Sequence, residues 1–403
     1  MRASPEATPR PHAAGAPHPA ADAAHWSFAC SACEYTAPGA DFAAPCPRCG
    51  QPLFVRYPSP LPGRGAIAPR WDMWRYRALL PVRADEEPLS LGEGCTPLTE
   101  EPGLARTLGA RRLWVKNEAV SPTTSFKARG MSASVTRVRH MGFRGLVVPT
   151  NGNAGVALAA YAAAAGIPAR VYAPMETPAP IQAQVRAHGA ELCLVSGHIG
   201  DAGVAGRAFA AESGYVDIST LREPWRLEGK KTMGIEIAEQ LGWRLPDAIV
   251  YPTGGGIAII AMWKAFAELR AAGWLDPAAP LPRLYVAQSA GCAPLVRAWE
   301  AGADRSTAWE DPWTYASGLR VPAPLGDRLI LRALRESGGD AIAVSESDIA
   351  AGARELATGA GIDACPEGGC ALAATGALLR AGRIARDAEI VVFNTGSGVA
   401  YRA

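Results

Sequence analysis

The 403-residue chain carries a formal net charge of +2 and is 49% hydrophobic. No strong field therefore directs it to nucleic acid or to a membrane surface, and its longest apolar run, VALAAYAAAAG at 156–166, is too short and alanine-rich to span a bilayer. The length leaves room for two packed domains, or for one large one with an appendage.

Residues 1–24, MRASPEATPRPHAAGAPHPAADAA, lack the apolar core of a secretory signal and read as a disordered tail. A cytoplasmic location is expected. The next segment, 25–55, holds CSAC and CPRC, two C-x2-C pairs separated by twelve residues. Each pair forms a tight turn that aims two thiolates at one tetrahedral ion, and four thiolates close a structural zinc site. Cys30, Cys33, Cys46 and Cys49 are thus predicted to hold a structural zinc in a zinc-ribbon-like knuckle; chance pairing of cysteines in a loop is the weaker alternative. Cys95, Cys193, Cys292, Cys365 and Cys370 are scattered and read as structural thiols.

Residues 56–110 read as a Pro- and Arg-rich connector together with the N-terminal part of the main body, which continues over 111–403. There the pattern alternates. LWVK, GLVVPT, ARVYAP, ELCLVS, AIVYPT, RLYVAQS and EIVVFNT are predicted buried strands, with helical stretches such as AGVALAAYAAAAG, IQAQVRAHG and MGIEIAEQLG between them. Such alternation implies an α/β fold with a largely parallel sheet covered by helices on both faces. Ligands of such sheets sit at the carboxyl ends of strands.

Three loops meet that description. In VVPTNGNAGVALAA (147–160) a strand ends at Thr150 and a helix starts near Ala154, so the turn offers backbone N–H groups and the Asn153 amide to an anionic or phenolic oxygen. In VYPTGGGIAIIAMWKAF (250–266) three successive glycines let the backbone approach a phosphate closely. The loop lacks both the G-K-[ST] of a P-loop and the G-x-G-x-x-G of a dinucleotide fold. In VVFNTGSGVAY (391–401) a final strand delivers Thr395.

The chain has five lysines against thirty-five arginines. Lysine alone of the two can lose its proton and attack a carbonyl. Lys116 lies in an apparent strand beside charges that can pair with it. Lys230 and Lys231 are adjacent and read as capping or flanking a helix, and Lys264 reads as lying on an exposed helix face. Lys127 sits in a hydroxyl-rich loop running into a helix, TTSFKARG. Three Gly-containing turns after strands and a sparse lysine point to a phosphorylated cofactor with a carbonyl, with a solvated helix-terminal lysine as the alternative for Lys127.

SFKARG resembles the S-F-K-D-R-G lysine motif of the threonine-synthase-like family, fold-type II enzymes that use pyridoxal 5′-phosphate. The likeness extends through LGEGCTPL (91–98), TNGNAG (150–155), EGKKTMGIEIAEQLGWRLPDAIVYPTGGG (228–256), SGLRVPAPLGD (317–327) and PEGGCALAA (366–374). The resemblance implies two open parallel-sheet α/β subdomains with the cofactor between them, the smaller spanning roughly 130–230 and inserted in the larger. It makes Lys127 the Schiff-base lysine. It places Asn153 at the cofactor's phenolic oxygen, Gly254, Gly255, Gly256 and Ile257 around its phosphate, and Thr395 at its pyridine nitrogen. It places Ser125, Thr150, Asn151, Gly152 and Ala154 around the substrate. It further implies a homodimer acting on a small amino acid by elimination or replacement, a carbon–oxygen lyase converting O-phosphohomoserine to threonine and phosphate. The sequence departs from the family pattern at Ala128, where an acid is usual, and at Ile257 and Ala258, where a hydroxyl and a glycine are usual. SPTTS stands where NPTGS is usual, and GVAY where GLKY is usual. Three other readings stay open: a cysteate-synthase-like β-replacement on phosphoserine, a serine/threonine dehydratase, and a non-catalytic zinc-ribbon binding protein with a degenerate enzyme body.

Overall fold

The computed structural model describes residues 26–39, 42 and 44–402; the tail expected over 1–24 lies outside the described residues. Three short strands open the chain: β1 (Ser27–Cys30), β2 (Thr36–Pro38) and β3 (Leu53–Arg56). They form an antiparallel sheet in the order β2-β1-β3. This ribbon is docked by aromatic contacts. Phe28 meets Trp225 edge-on with ring centroids 6.2 Å apart, and Phe42 reaches both Phe143 and Trp225 at 5.3 and 5.4 Å. Such pairs add to what their buried area contributes. Just after the ribbon, Tyr57 donates a 2.8 Å hydrogen bond to Glu228.

The body is built on two further sheets. The larger contains β4 (Leu98–Glu100), β5 (Arg112–Asn117), β10 (Ala248–Pro252), β11 (Arg283–Ser289), β12 (Asp340–Val344) and β13 (Glu389–Asn394), in the order β12-β11-β10-β13-β5-β4. Five of its strands run parallel, and β4 pairs antiparallel on the edge beside β5. The smaller, β6 (Gly145–Pro149), β7 (Ala169–Pro174), β8 (Glu191–Val195) and β9 (Tyr215–Asp217), is wholly parallel in the order β8-β7-β6-β9. Eleven helices connect these strands among the described residues: α1 (Pro102–Leu108), α2 (Lys127–Val138), α3 (Asn153–Ala165), α4 (Ala179–Ala187), α5 (Ile199–Ser213), α6 (Trp225–Gln240), α7 (Ile257–Ala271), α8 (Pro294–Glu300), α9 (Asp327–Ser337), α10 (Glu346–Ala360) and α11 (Pro366–Arg380). None is long and apolar enough to cross a membrane.

All seven strands expected from β-branched runs are present. The central β10 is buried at every position, as a parallel strand covered on both faces must be. The strands β4, β9 and β12 are not visible as runs: LTE and YVD are three residues long, and DAIAV has only two β-branched residues. They exist because a neighbouring strand supplies the pairing.

Three lysines depart from their sequence reading. Lys230 and Lys231 do not cap or flank α6 but lie fully buried inside it, and Lys264 on α7 is buried rather than exposed. Lys231 pairs with Glu228 on α6 and Lys264 with Glu268 on α7, and the packing of α6 against α7 adds the cross pairs Lys231–Glu268 and Lys264–Glu228. A buried charge needs such a partner. Lys116 is the paired strand residue expected, bonded to Glu236 at 2.8 Å.

Candidate active site

A cleft of about 290 Å³ opens between the two larger sheets, at the carboxyl ends of β6, β9, β10 and β13. Lys127, Thr150, Asn151, Gly152, Asn153, Ala154, Gly254, Gly255, Gly256, Ile257 and Thr395 all line it. Residues distant in the chain are thus gathered by topology alone, as open α/β sheets gather ligand contacts. Ser125 is not on the wall. It lies two residues before Lys127, fully buried, with its hydroxyl lacking a hydrogen-bond partner among the described residues.

Local backbone chemistry sets the position of Lys127. After β5 the chain passes through two 3-10 turns, in which Thr123 and Thr124 adopt φ of 60° and 55°. β-branched residues are strained in that left-handed region, and Thr124 stands where the family's NPTGS has glycine. The loop is stitched to the Thr395 turn on both sides. Phe126 N–H donates to the Thr395 carbonyl at 3.1 Å, Ser397 N–H donates to the Thr124 carbonyl at 3.0 Å, and Ser125 bridges Gly396. Lys127 then begins α2, its Nζ 4.0 Å from the centroid of the Phe126 ring. Burial, with help from the Arg226 charge, pushes its amine down to about 8, while Glu367 and Cys365 pull the other way. An amine near 8 is partly unprotonated at neutral pH and can act as a nucleophile.

Opposite, β10 delivers the glycine loop to the N-terminus of α7, which no side chain caps. A Cβ on Gly254 would lie 2.2 Å from the Gly318 carbonyl oxygen. Gly256 has φ of +72°, and a Cβ there would lie 2.0 Å from Ile330 Cδ1. Only glycine fits, so the backbone N–H groups stay open to an anion. The Asn153 amide nitrogen lies 3.4 Å from where a Cβ on Gly396 would stand, which sets this side chain beside the Thr395 turn. Thr395 Oγ1 is 3.5 Å from Cys365 Sγ.

Several cleft residues have no role assigned from the sequence. Glu367, at the start of α11, accepts hydrogen bonds from Gly318 N–H and the Tyr401 hydroxyl, both 2.8 Å, through one carboxylate oxygen. Its other oxygen is buried without a partner among the described residues, as are Asn151 Oδ1 and the Tyr251 hydroxyl on the same wall. Arg207, Ser219, Thr220 and Arg222 complete the side formed by the smaller sheet. Orphaned buried polar atoms around a glycine cradle and a depressed amine fit a phosphorylated aldehyde that brings its own polar groups.

Away from the cleft, the sulfurs of Cys30, Cys33, Cys46 and Cys49 all lie within 4.8 Å of one another.

The family model for the pyridoxal-phosphate-dependent enzymes matches residues 89–396. The chain belongs to that family. Among curated members, the chain is 37% identical over 326 residues to the threonine synthase of Methanosarcina acetivorans, covering 81% of this chain and 79% of that protein. It is 36% identical over 328 residues to the threonine synthase of Methanocaldococcus jannaschii, covering 81% and 80%. Among solved structures, the T.th. threonine deaminase superposes with a TM-score of 0.63 at 28% identity over 75% of this chain and 92% of that one. Maize serine racemase superposes with a TM-score of 0.65 at 23% identity, covering 75% and 88%, a likeness of fold. The expected fold-type II architecture is the one present, and within the pyridoxal-phosphate family the chain groups with the threonine synthases.

Proposed function

We propose that this pyridoxal-phosphate-dependent enzyme is a threonine synthase, taking O-phosphohomoserine and water to threonine and inorganic phosphate. The observation that carries the reading is Lys127: a cleft-lining amine pushed down to about 8, in a chain that matches threonine synthases over four fifths of its length. Bound pyridoxal 5′-phosphate supplies an electron sink for an amino acid joined to it. Lys127 is the residue that would hold its aldehyde, and its free amine would move protons at Cα and Cβ of the substrate. The backbone of Gly254 to Ile257 would hold its phosphate, the Asn153 amide would serve its phenolic oxygen, and the Thr395 hydroxyl would serve its ring nitrogen. A neutral hydroxyl there keeps the ring a milder sink, which suits elimination and replacement over transamination. Thr150, Asn151, Gly152 and Ala154, at the N-terminus of α3, receive the substrate carboxylate, while Ser125, buried behind the wall, supports the loop that carries Lys127. Incubation with phosphohomoserine is expected to yield threonine and phosphate in equal amounts. Turnover of phosphoserine, serine or threonine in its place would move the enzyme to the replacement or dehydratase readings.

We also propose one structural zinc per chain on Cys30, Cys33, Cys46 and Cys49. Sulfur separations of 3.4, 3.6 and 3.7 Å approach the edge of about 3.8 Å expected of a tetrahedron with Zn–S near 2.3 Å. Four cysteines leave no position for a reactive water. Elemental analysis of reduced protein is expected to find one zinc, and Cys46→Ser to lower thermal stability with little change in the turnover of the folded fraction. Metal-free wild-type protein would refute the site, and loss of turnover in stably folded Cys46→Ser protein would refute its structural role. The amino-acid substrate, a cytoplasmic location and a homodimer complete the proposal.

A further inference from the structure

We propose that Cys365 is a positioning residue: it turns the hydroxyl of Thr395 so that only oxygen lone pairs face the cofactor's ring nitrogen, which is therefore protonated in the holoenzyme. The proposal rests on the pyridoxal-phosphate reading above and deepens it.

Asn117 and Asn394 end β5 and β13 and stand opposite one another in the parallel register. Asn117 Oδ1 accepts from the Ala119 backbone N–H at 3.2 Å, which fixes the orientation of its amide. Asn394 donates through Nδ2 to the same oxygen at 2.9 Å; its own oxygen in that place would set two acceptors together. Asn394 Oδ1 is thereby turned to the thiol of Cys365, 3.6 Å away. The first turn of α11 closes down on this oxygen, since a Cβ on Gly368 would lie 2.4 Å from it. Cys365 is also tied to the Thr395 turn, its N–H donating to the Gly396 carbonyl at 3.0 Å.

A thiol has one proton to give. Cys365 is fully buried, and burial pushes its thiol well above the ordinary range, so the proton stays on sulfur. Glu367 does not receive it. One of its oxygens takes the Gly318 N–H and the Tyr401 hydroxyl, and the other has no partner among the described residues. The Asn394 amide oxygen takes the proton, and the sulfur offers Thr395 a lone pair. Thr395 Oγ1, 3.5 Å from the sulfur, spends its single proton there. What remains for the cleft is acceptor capacity alone, which an N–H satisfies and a bare pyridine nitrogen does not. Glu367 lines the same cleft, and a negative charge beside the ring favours its protonated form further. A neutral acceptor supports that proton less than a carboxylate would, so the ring remains the milder sink.

Two measurements test the proposal, one on each form of the protein. The holoenzyme is loaded with cofactor isotopically labelled at the ring nitrogen, and magnetic resonance reads its protonation. Wild type is expected to show the protonated form. In Cys365→Ala and in Cys365→Val the hydroxyl is free to donate, and the resonance is expected to shift to the unprotonated form at the same pH. Cys365→Ser, whose hydroxyl donates to Asn394 and accepts from Thr395, is expected to keep the wild-type signal. An unprotonated ring in wild type overturns the proposal. So does a protonated ring that the apolar variants leave unchanged, or a Cys365→Ser signal that follows theirs. If neither apolar variant folds, the thiol is a packing group and its positioning role is refuted.

The apoprotein supplies the second readout. The S–H stretching band that Cys365→Ala lacks is expected at the lowered frequency of a thiol donating to a carbonyl. It should stay there in Thr395→Val, because the acceptor is Asn394. A band that moves to the free-thiol position in Thr395→Val would show the thiol donating to Thr395 and overturn the relay. Wild-type protein that binds no cofactor refutes the pyridoxal-phosphate reading, and the claim about the ring with it, while the band still decides the relay.

Discussion

Lys127→Ala protein, supplied with pyridoxal 5′-phosphate, is expected to be colourless, to gain no covalent cofactor after borohydride reduction, and to lose turnover. Removing a group that moves protons in the transition state costs about 10²- to 10⁴-fold, and losing the covalent attachment adds to that. Lys127→Arg is expected to fail in the same way, because a guanidinium stays protonated. The surroundings of the other lysines make the assignment specific. Lys116, Lys231 and Lys264 are each paired with buried carboxylates, which keeps their amines engaged. Lys230 is fully buried without a hydrogen-bond partner among the described residues, but it does not line the cleft. A reduced adduct mapped to Lys230 or Lys264 would refute the assignment. The pH dependence follows from the sign of the shift. Burial favours the neutral amine and moves its titration down to about 8, so capture of free cofactor by apoprotein should rise about tenfold per pH unit below 8 and flatten above it. An ordinary lysine would keep rising toward about 10.4. A rate that climbs without a break to about pH 10 would show that the amine is not depressed.

The parts of the site that were legible in the sequence are those in which local chemistry is specific. A strand running into a glycine turn and a helix is a short-range pattern, and all three such loops reach the cleft. The lysine stood out because arginine serves almost everywhere else. What was not legible depends on contacts between distant segments. Arg207 is one arginine among thirty-five, in the middle of α5, and nothing in TLREPW marks Arg222; the fold alone puts them on one wall. Glu367 lies in a stretch of the family likeness, but its hydrogen bonds come from Gly318 and Tyr401, which local pattern cannot place. The same cause explains Lys231 and Lys264. Charged residues on helices are solvated by default; Glu228 and Glu268 stand at helical spacing from Lys231 and Lys264 on their own helices, but only the docking of α6 on α7 buries the four groups together and adds the cross pairs. The strained Thr124 shows a further limit: its departure from the usual glycine is visible in the sequence, but its positive φ is a property of the folded loop.

Arg129→Met is expected to destabilise the protein by about 3–5 kcal/mol, the cost typical of removing one partner from a buried ion pair. Arg129 is fully buried two residues after Lys127. Its guanidinium donates to both oxygens of Glu118 at 2.8 Å, to Glu236 at 2.7 and 2.8 Å, and to Thr232 and Thr96 at 3.0 and 3.1 Å. Lys116 joins the same cluster through Glu236. The network ties the first turn of α2 to the turn after β5 and to α6, so it fixes the segment from which Lys127 projects. Burial alone would push the Glu236 carboxyl up, but Arg129 and Lys116 outweigh it and hold the group well below the carboxylate range. The stabilisation is therefore complete above the ordinary glutamate value of about 4.3 and is lost as pH falls below it. In urea titrations, wild type should gain stability between about pH 3 and 5, and Arg129→Met should gain less, because one of the two cations that depress Glu236 is gone. Adding Glu118→Gln and Glu236→Gln to Arg129→Met should recover part of the loss, since the orphaned carboxylates rather than the missing arginine carry most of the penalty. If Arg129→Met unfolds at the wild-type urea concentration, the cluster is not a structural tie. If the triple variant is no more stable than the single one, the penalty lies in lost packing around the guanidinium stem instead of in unpaired charge.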